Sequence, residues 1–332
     1  ATLSVAGMGV LAGCTESGDD SGEGSITVGL IALHDSNSTY DKNFIDAMQE
    51  ACDNKGVELL IRTGIPENQT CYDTASDLVD QGCDVIFADS FGHEDFVLQA
   101  ARENPDVQFC HATGTKAHTE GVANFHNAFA SIYEGRYLAG VAAGMKLVEM
   151  YEAGELQADN FDEDGNIKIG YVGAYPYAEV VSGYTSFFLG AQSVVEEEME
   201  ISISMEVTYT GSWYDEVAES EGANMLIGRG AALISQHADS MGAPSACEAA
   251  GVPNVSYNGS TAEDCPKTFI VSSRINWVPY FEYMIDCVVN GEAIDTDWTG
   301  TIATGSVVLT EFGSAAADGT ADKVAEVQAQ LE

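Results

Sequence analysis

Short runs of consecutive apolar residues recur along this chain, each followed by a stretch in which apolar positions return every three or four residues. Ile26-Thr27-Val28-Gly29-Leu30-Ile31-Ala32-Leu33 reads as a buried strand, with a helix over Tyr40–Lys55 behind it. Val57–Arg62, Asp84–Ala88, Val107–His111 and a short Val122–Phe125 give four more strands, with helices over Asp73–Gln81 and Asp95–Glu103 between them. The pattern then restarts. A long helix over Ala130–Met150 leads to strand Ile167–Gly173, helix Ala178–Glu197, strand Ile203–Tyr209, helix Tyr214–Gly228, strand Ala231–Ser235 and, after another helix, strand Val252–Tyr257. Strands that are apolar on both faces, alternating with amphipathic helices, specify parallel sheets covered on both sides. Two such series of similar size predict a two-lobed α/β protein, each lobe a doubly wound, mostly parallel sheet. From Thr268 onward a strand, a helix over Trp277–Asn290 and an extended stretch near Ser306–Thr310 are expected to cross back between lobes. The expected division is 26–125 with 260–296 in the first lobe, and 126–259 with 297–332 in the second.

Open parallel sheets bind ligands beyond the C-terminal ends of their strands, and two lobes can turn those edges toward each other. Tyr40, Phe91, Tyr175, Trp213 and Trp277 lie at or just after expected strand ends and are the candidate aromatic contacts. Asp41, Ser90, Asp239, Asn258 and Arg274 are the candidate polar contacts, Arg274 being one of five arginines. Any one of these aromatics also fits core packing, and Arg274 also fits a surface ion pair.

Charge narrows the partners. The chain carries 53 acidic and 12 basic residues, a net −41, which leaves too little positive charge to neutralise nucleic-acid phosphates. At the N-terminus, Leu11-Ala12-Gly13-Cys14 closes a short apolar run and looks like a bacterial-type lipobox, with Cys14 as the lipidated residue. Residues 1–14 then read as a signal segment and 15–25, nearly all Gly, Ser, Asp and Glu, as an acidic tether. A membrane contact is expected through that anchor only. Seven cysteines remain besides Cys14, none in a C-x-x-C pair, and a Cys247–Cys265 disulfide is one open pairing.

Four segments stand in order along the chain: Thr39-Tyr40-Asp41, Glu134-Gly135-Arg136-Tyr137-Leu138-Ala139-Gly140, Lys168-Ile169-Gly170-Tyr171-Val172-Gly173 and Tyr209-Thr210-Gly211-Ser212-Trp213-Tyr214-Asp215. Together they resemble the basic-membrane-protein-type substrate-binding lipoproteins of ABC importers, some of which bind purine nucleosides. The resemblance implies a type I periplasmic-binding-protein-like fold. It places the first binding aromatic on Tyr40, its polar partner on Asp41, a second contact on Trp213 and a ligand-facing loop on Asp239-Ser240. Asn258 stands where many members carry Asp, and Ser272-Ser273-Arg274 is similar to a strand end that presents a Ser and a basic residue. Two departures stand out: the family's Asp after the fourth strand falls near Thr113, and the loop Ser90–Glu94 is unusually polar.

The resemblance thus implies an extracytoplasmic, lipid-anchored, monomeric binding protein that closes about a hinge on a purine nucleoside or nucleobase and presents it to ABC permease subunits. It implies no enzyme activity and no cofactor. Other solutes, a transition metal or a sensory ligand-binding role are the alternatives. His34, His93, His111, His118, His126 and His237 are all expected near the cleft edge, but none has the i, i+4 spacing of a metal motif. No G-x-S-x-G elbow or phosphate-cradling glycine loop lies in the body.

Overall fold

The computed structural model describes residues 26–199 and 201–331; Cys14 and the tether lie outside the described residues. The first part of the chain forms β1 (Thr27–Ile31), α1 (Thr39–Lys55), β2 (Glu58–Arg62), α2 (Gln69–Asp80), β3 (Val85–Ala88), α3 (Glu94–Glu103), β4 (Gln108–Ala112), α4 (Ala117–Glu120) and β5 (Phe125–Ala130). Then come α5 (Ile132–Glu152), β6 (Ile167–Gly173), α6 (Ala178–Met199), β7 (Ile203–Tyr209), α7 (Glu216–Gly228), β8 (Ile234–His237), α8 (Gly242–Ala250), β9 (Asn254–Tyr257) and β10 (Phe269–Ile275). The chain ends with α9 (Val278–Asn290), β11 (Asp297–Gly300), β12 (Val307–Leu309) and α10 (Thr320–Leu331).

Two six-stranded sheets result, ordered β11-β5-β4-β3-β1-β2 and β12-β10-β9-β8-β6-β7. Within each, the first five strands in chain order run parallel in the order 2-1-3-4-5. That is a doubly wound arrangement, with its crevice where the winding reverses. Each sheet then gains one late strand: β11 joins parallel to β5, and β12 antiparallel to β10.

These late strands revise the expected lobe limits. β10 lies in the second sheet, although 260–296 was assigned to the first lobe, and β11 lies in the first sheet, although 297–332 was assigned to the second. The cause is pairing: β10 carries on the parallel series beside β9, and Asp297–Gly300, with no apolar run of its own, becomes a strand by bonding to β5. The chain therefore passes between sheets after β5, after β10 and after β11. Those passages are laced together, because Ser131 donates its backbone N–H to the Gly300 carbonyl (2.8 Å) and Asn276 to that of Ser306 (2.7 Å).

The sequence of small residues sets how the second lobe packs. A Cβ at Gly140 of α5 would strike the Phe187 carbonyl of α6, and one at Gly190 of α6 would strike the Tyr137 carbonyl of α5. Glycine at both positions lets the two longest helices touch backbone to backbone. In the first lobe the core is aromatic: Trp277, fully buried, stacks on Phe44 (ring centroids 4.7 Å) and meets Phe87, Tyr280 and Phe281. Among the described residues no helix is long and apolar enough to cross a membrane. All seven described cysteines are buried free thiols, Cys247 and Cys265 included, so the open disulfide pairing is not made.

Candidate functional site

The C-terminal strand ends of the two sheets face each other across a narrow cavity of about 20 Å³. Its wall comes from the loops after β1, β3 and β4 of the first lobe and after β6, β7, β8 and β9 of the second: Leu33, Tyr40, Asp41, Ser90, Phe91 and Thr113 face Glu179, Trp213, His237, Asp239 and Tyr257. Outward, past Phe91, Thr113, Glu179 and Trp213, the cavity meets a wider groove that Tyr133 and Tyr177 also line.

Helix α1 begins at this wall. Ser38 caps it, its hydroxyl accepting from the Asp41 N–H (3.2 Å) and donating to the Asp41 carboxylate (2.5 Å). The same carboxylate accepts from the His34 backbone N–H (2.7 Å) and meets His34 Nδ1 (3.2 Å). Burial pushes Asp41 up, but these bonds together hold it below the ordinary range for aspartate. Asp89 behaves in the opposite way: burial, and then the Asp41 charge beside it, raise it well above that range. Its Oδ1 accepts from the Leu33 N–H (3.1 Å), and Tyr40 donates its hydroxyl to the Asp89 carbonyl (2.9 Å). That bond fixes Tyr40 at the cavity wall.

The lobes touch directly around this point. Thr39 donates its backbone N–H to the Asp239 carbonyl (3.0 Å), and Asn43 donates its side-chain amide to Asn258 (2.8 Å). The Asp239 side chain is 3% exposed and lines the cavity, and no hydrogen bond satisfies its carboxylate among the described residues. Burial, then the charges of Asp41, Glu219 and Glu179, push it well above its ordinary value. Glu219 of α7 holds this loop from behind by accepting from the N–H groups of Ser240 (3.2 Å) and Asp215 (3.3 Å).

Burial raises Glu219 itself to about 7, and its Oε2 has no hydrogen-bond partner among the described residues. A carboxyl raised on folding stabilises the fold fully below its unfolded value, and that stability is lost as pH rises through the folded value. The window here runs from the ordinary 4.5 to about 7 and is worth roughly 3 kcal/mol. Glu219→Gln should therefore gain stability relative to the native protein as pH rises across this window. Urea unfolding of both at pH 4.5 and 8 measures it, and parallel pH profiles would refute it.

Of the residues singled out in the sequence, Tyr40, Asp41, Ser90, Phe91, Trp213 and Asp239 line the cavity. Ser90 does so with its hydroxyl already donated to Glu67 (2.6 Å). Tyr175 stands behind the wall, stacked on Tyr177 (5.0 Å) and edge-on to Trp213 (5.2 Å). Asn258 sits in a left-handed conformation (φ 59°) and spends its carbonyl on Asn43, outside the lining. Two choices are corrected. Trp277 is core, because the chain turns inward after β10 and buries the ring against α1. Arg274 is partly buried on β10, bonded to Val308 of β12 and outside the cavity lining, while Ser273 beside it accepts from Arg136.

The polar side chains of the loop Ser90–Glu94 are spent inside the first lobe. Glu94 wraps the Thr113 loop by accepting from the N–H groups of Thr115 (2.6 Å) and Lys116 (2.7 Å), and Thr113 is left in a positive-φ conformation (62°) at the cavity. His93 bonds the Ile65 carbonyl (2.8 Å) and His111 that of Ser90 (2.7 Å). Only His237 of the six histidines lines the cavity; His118 and His126 bond to Asp297 and Gln108 instead. Among the described residues no three His, Cys, Asp or Glu side chains gather as a metal site. The sequence marked His237 only as one of six histidines expected near the cleft edge, and did not single out Glu179 or Tyr257. Their only signal is position at the strand ends, and an acidic residue in the first turn of α6 reads equally as a partner of the helix dipole.

Residues 29–331 match the Bmp family, described as ABC transporter substrate-binding protein PnrA-like. The chain belongs to that family. A putative ABC transporter glucose-binding protein of Haloferax volcanii is 32% identical to this Bmp-family chain over 249 residues, 75% of this chain and 57% of that protein. A purine-binding protein of Brucella abortus is 32% identical over 210 residues, 63% of this chain and 53% of that protein. The chain thus spans little more than half the length of these two relatives. A solved ABC transporter solute-binding protein from Conexibacter woesei superposes with a TM-score of 0.72 over 92% of this chain and 96% of its own, at 21% identity, which establishes the shared fold.

Proposed function

We propose that this Bmp-family protein is an extracytoplasmic solute-binding component of an ABC importer, held to the membrane by lipid on Cys14, that captures a purine nucleobase or nucleoside. The observation that carries the reading is the lining of the cavity. Aromatic rings come from both lobes (Tyr40 and Phe91 from one, Trp213 and Tyr257 from the other), and the charged side chains among them are the carboxylates Asp41, Glu179 and Asp239. Such a wall favours a flat, neutral ligand rich in N–H or O–H donors and disfavours phosphates and other anions. Purine and nucleoside names among the relatives support the same class. The expected mechanism is hinge closure: the ligand bridges the lobes and shifts the open–closed balance toward closed, the form a permease would receive.

A second reading, a monosaccharide, is favoured by the carboxylates, which suit sugar hydroxyls, and by the relative named for glucose. Calorimetric titration with adenine, hypoxanthine, adenosine, inosine and D-glucose separates the two. A purine should bind, and Tyr40→Ala and Trp213→Ala should each weaken it about 10- to 100-fold, since stacking is worth about 1–3 kcal/mol per base. Glucose alone binding, or unchanged purine affinity in both variants, would remove this reading.

A further inference from the structure

Two side chains of the second lobe reach the cavity without a task in holding the fold. His237, at the end of β8, is 1% exposed, and neither ring nitrogen has a hydrogen-bond partner among the described residues. Its ring lies on Tyr257, centroids 3.9 Å apart, which fixes its plane. Nδ1 faces the α-carbon of Gly183 on α6, where an added Cβ would lie only 2.6 Å away. A proton on Nδ1 would have nothing to donate to there. Nε2 stands 3.8 Å from Oε1 of Glu179, too far for a hydrogen bond, and both residues line the cavity. Burial holds His237 below its ordinary pKa, so the ring is neutral and carries a single proton. Glu179, with its side chain 17% exposed, accepts one long bond from the Tyr257 hydroxyl (3.3 Å) and keeps acceptor capacity to spare.

We propose that His237 and Glu179 are specificity-determining residues that act as a donor–acceptor pair, Nε2–H of His237 donating to, and the Glu179 carboxylate accepting from, one edge of the ligand. The edge they fit carries a donor beside an acceptor. That is the lactam edge (N1–H, O6) of a 6-oxopurine or the amidine edge (N6–H, N1) of a 6-aminopurine; unsubstituted purine has no donor on that edge of its six-membered ring. The proposal rests on the purine reading of this cavity. It adds to the aromatic contacts a polar reader supplied wholly by the second lobe. The requirement for glycine at 183 follows, since any side chain there would displace the imidazole.

The test is calorimetric titration of the native protein, Glu179→Gln, His237→Phe and His237→Gln with hypoxanthine, adenine, unsubstituted purine and D-glucose. Native protein should bind hypoxanthine or adenine about tenfold or more tighter than unsubstituted purine. Glu179→Gln and His237→Phe should each lose about tenfold or more for the substituted purines and little for the unsubstituted one, while His237→Gln, which keeps an N–H donor, recovers part of the loss. Equal losses for all three purines, or none, would overturn the pair and leave the purine reading in place. Glucose binding without purine binding overturns the purine reading, and the pair then survives only if both Glu179→Gln and His237→Phe weaken glucose about tenfold. Failure of all four probes overturns both. Nitrogen-15 spectra of the native protein's histidines test the pair without a variant: a His237 proton on Nε2 that shifts when hypoxanthine is added supports it, and a proton on Nδ1 overturns it.

Discussion

Replacing Arg136 with alanine is expected to lower the unfolding free energy by about 3–5 kcal/mol, from the void left by a long buried side chain and the polar groups left unpaired around it. Arg136 projects from α5 and is fully buried. Its guanidinium donates to the Ser256 carbonyl (3.1 Å), the Ser273 hydroxyl (3.1 Å) and the Ser235 hydroxyl (2.5 Å), so that one side chain ties together β8, β9 and β10. None of these partners is a carboxylate. The charge is instead spread over the rings of Phe187, Tyr171 and Tyr257, 5.1, 5.4 and 5.9 Å from the guanidinium carbon. Alanine would leave those polar atoms unpaired in a void. Arg136→Met fills the void and removes the charge, so it should cost less than alanine, and lysine should not substitute because it cannot fork to several strands. Urea unfolding of the three variants checks the order. A loss below about 1 kcal/mol for alanine would show that the serines re-pair among themselves or with water. Because Tyr257 and His237 lie together above this group, the alanine variant should also bind ligand more weakly than its lowered stability alone explains.

Arg136 also shows where the sequence was readable and where it was not. The segment Glu134–Gly140 resembled a family helix, yet nothing in its spacing distinguishes a buried structural arginine from a surface one. The fold was legible because its strands are apolar along their length: β6 and β7 were expected with the limits they have, and α1 and α9 to within a residue at either end. β5 was placed too early, at Val122–Phe125, because His126 and Asn127 interrupt the apolar run that in fact begins at Phe125. β11 and α10 were not foreseen, since Asp297-Trp298-Thr299-Gly300 is a strand only by virtue of its neighbour, and α10 is short and polar. At the cavity, the rule that ligands sit beyond strand ends located six of the ten chosen residues. It failed for Trp277 because an aromatic after a strand buries as readily in a core as in a cleft. It did not set His237 apart from the other five histidines and passed over Glu179, because an unmet hydrogen bond leaves no mark in a sequence.

The largest response to solvent should be to salt. With 53 acidic residues against 12 basic, most carboxylates have no cation to pair with, and many of the ion pairs that do form are surface pairs such as Lys42–Asp46 and Arg102–Glu120. Exposed pairs contribute only about 0–1 kcal/mol each, whereas like charges one helical turn apart cost about 0.2–0.5 kcal/mol. Summed over several tens of excess carboxylates, repulsion reaches on the order of the 5–15 kcal/mol that holds an ordinary domain folded. The unfolded chain relieves much of it by expanding. Near 0.1 M salt the screening length of about 10 Å leaves neighbouring carboxylates in contact; at 1 M it shrinks to about 3 Å and largely removes the term. The melting temperature should therefore rise by about 10 °C or more between 0.1 and 2 M KCl, taking about 2–4 °C per kcal/mol, with most of the rise below 1 M. Charge screening predicts that curve for NaCl and KCl alike, whereas a Hofmeister effect continues to climb beyond 1 M and ranks sulfate above chloride. A melting temperature that is flat across this range would mean that the surface carboxylates are spaced widely enough to ignore one another, and the acidity would then have no bearing on the stability of the fold.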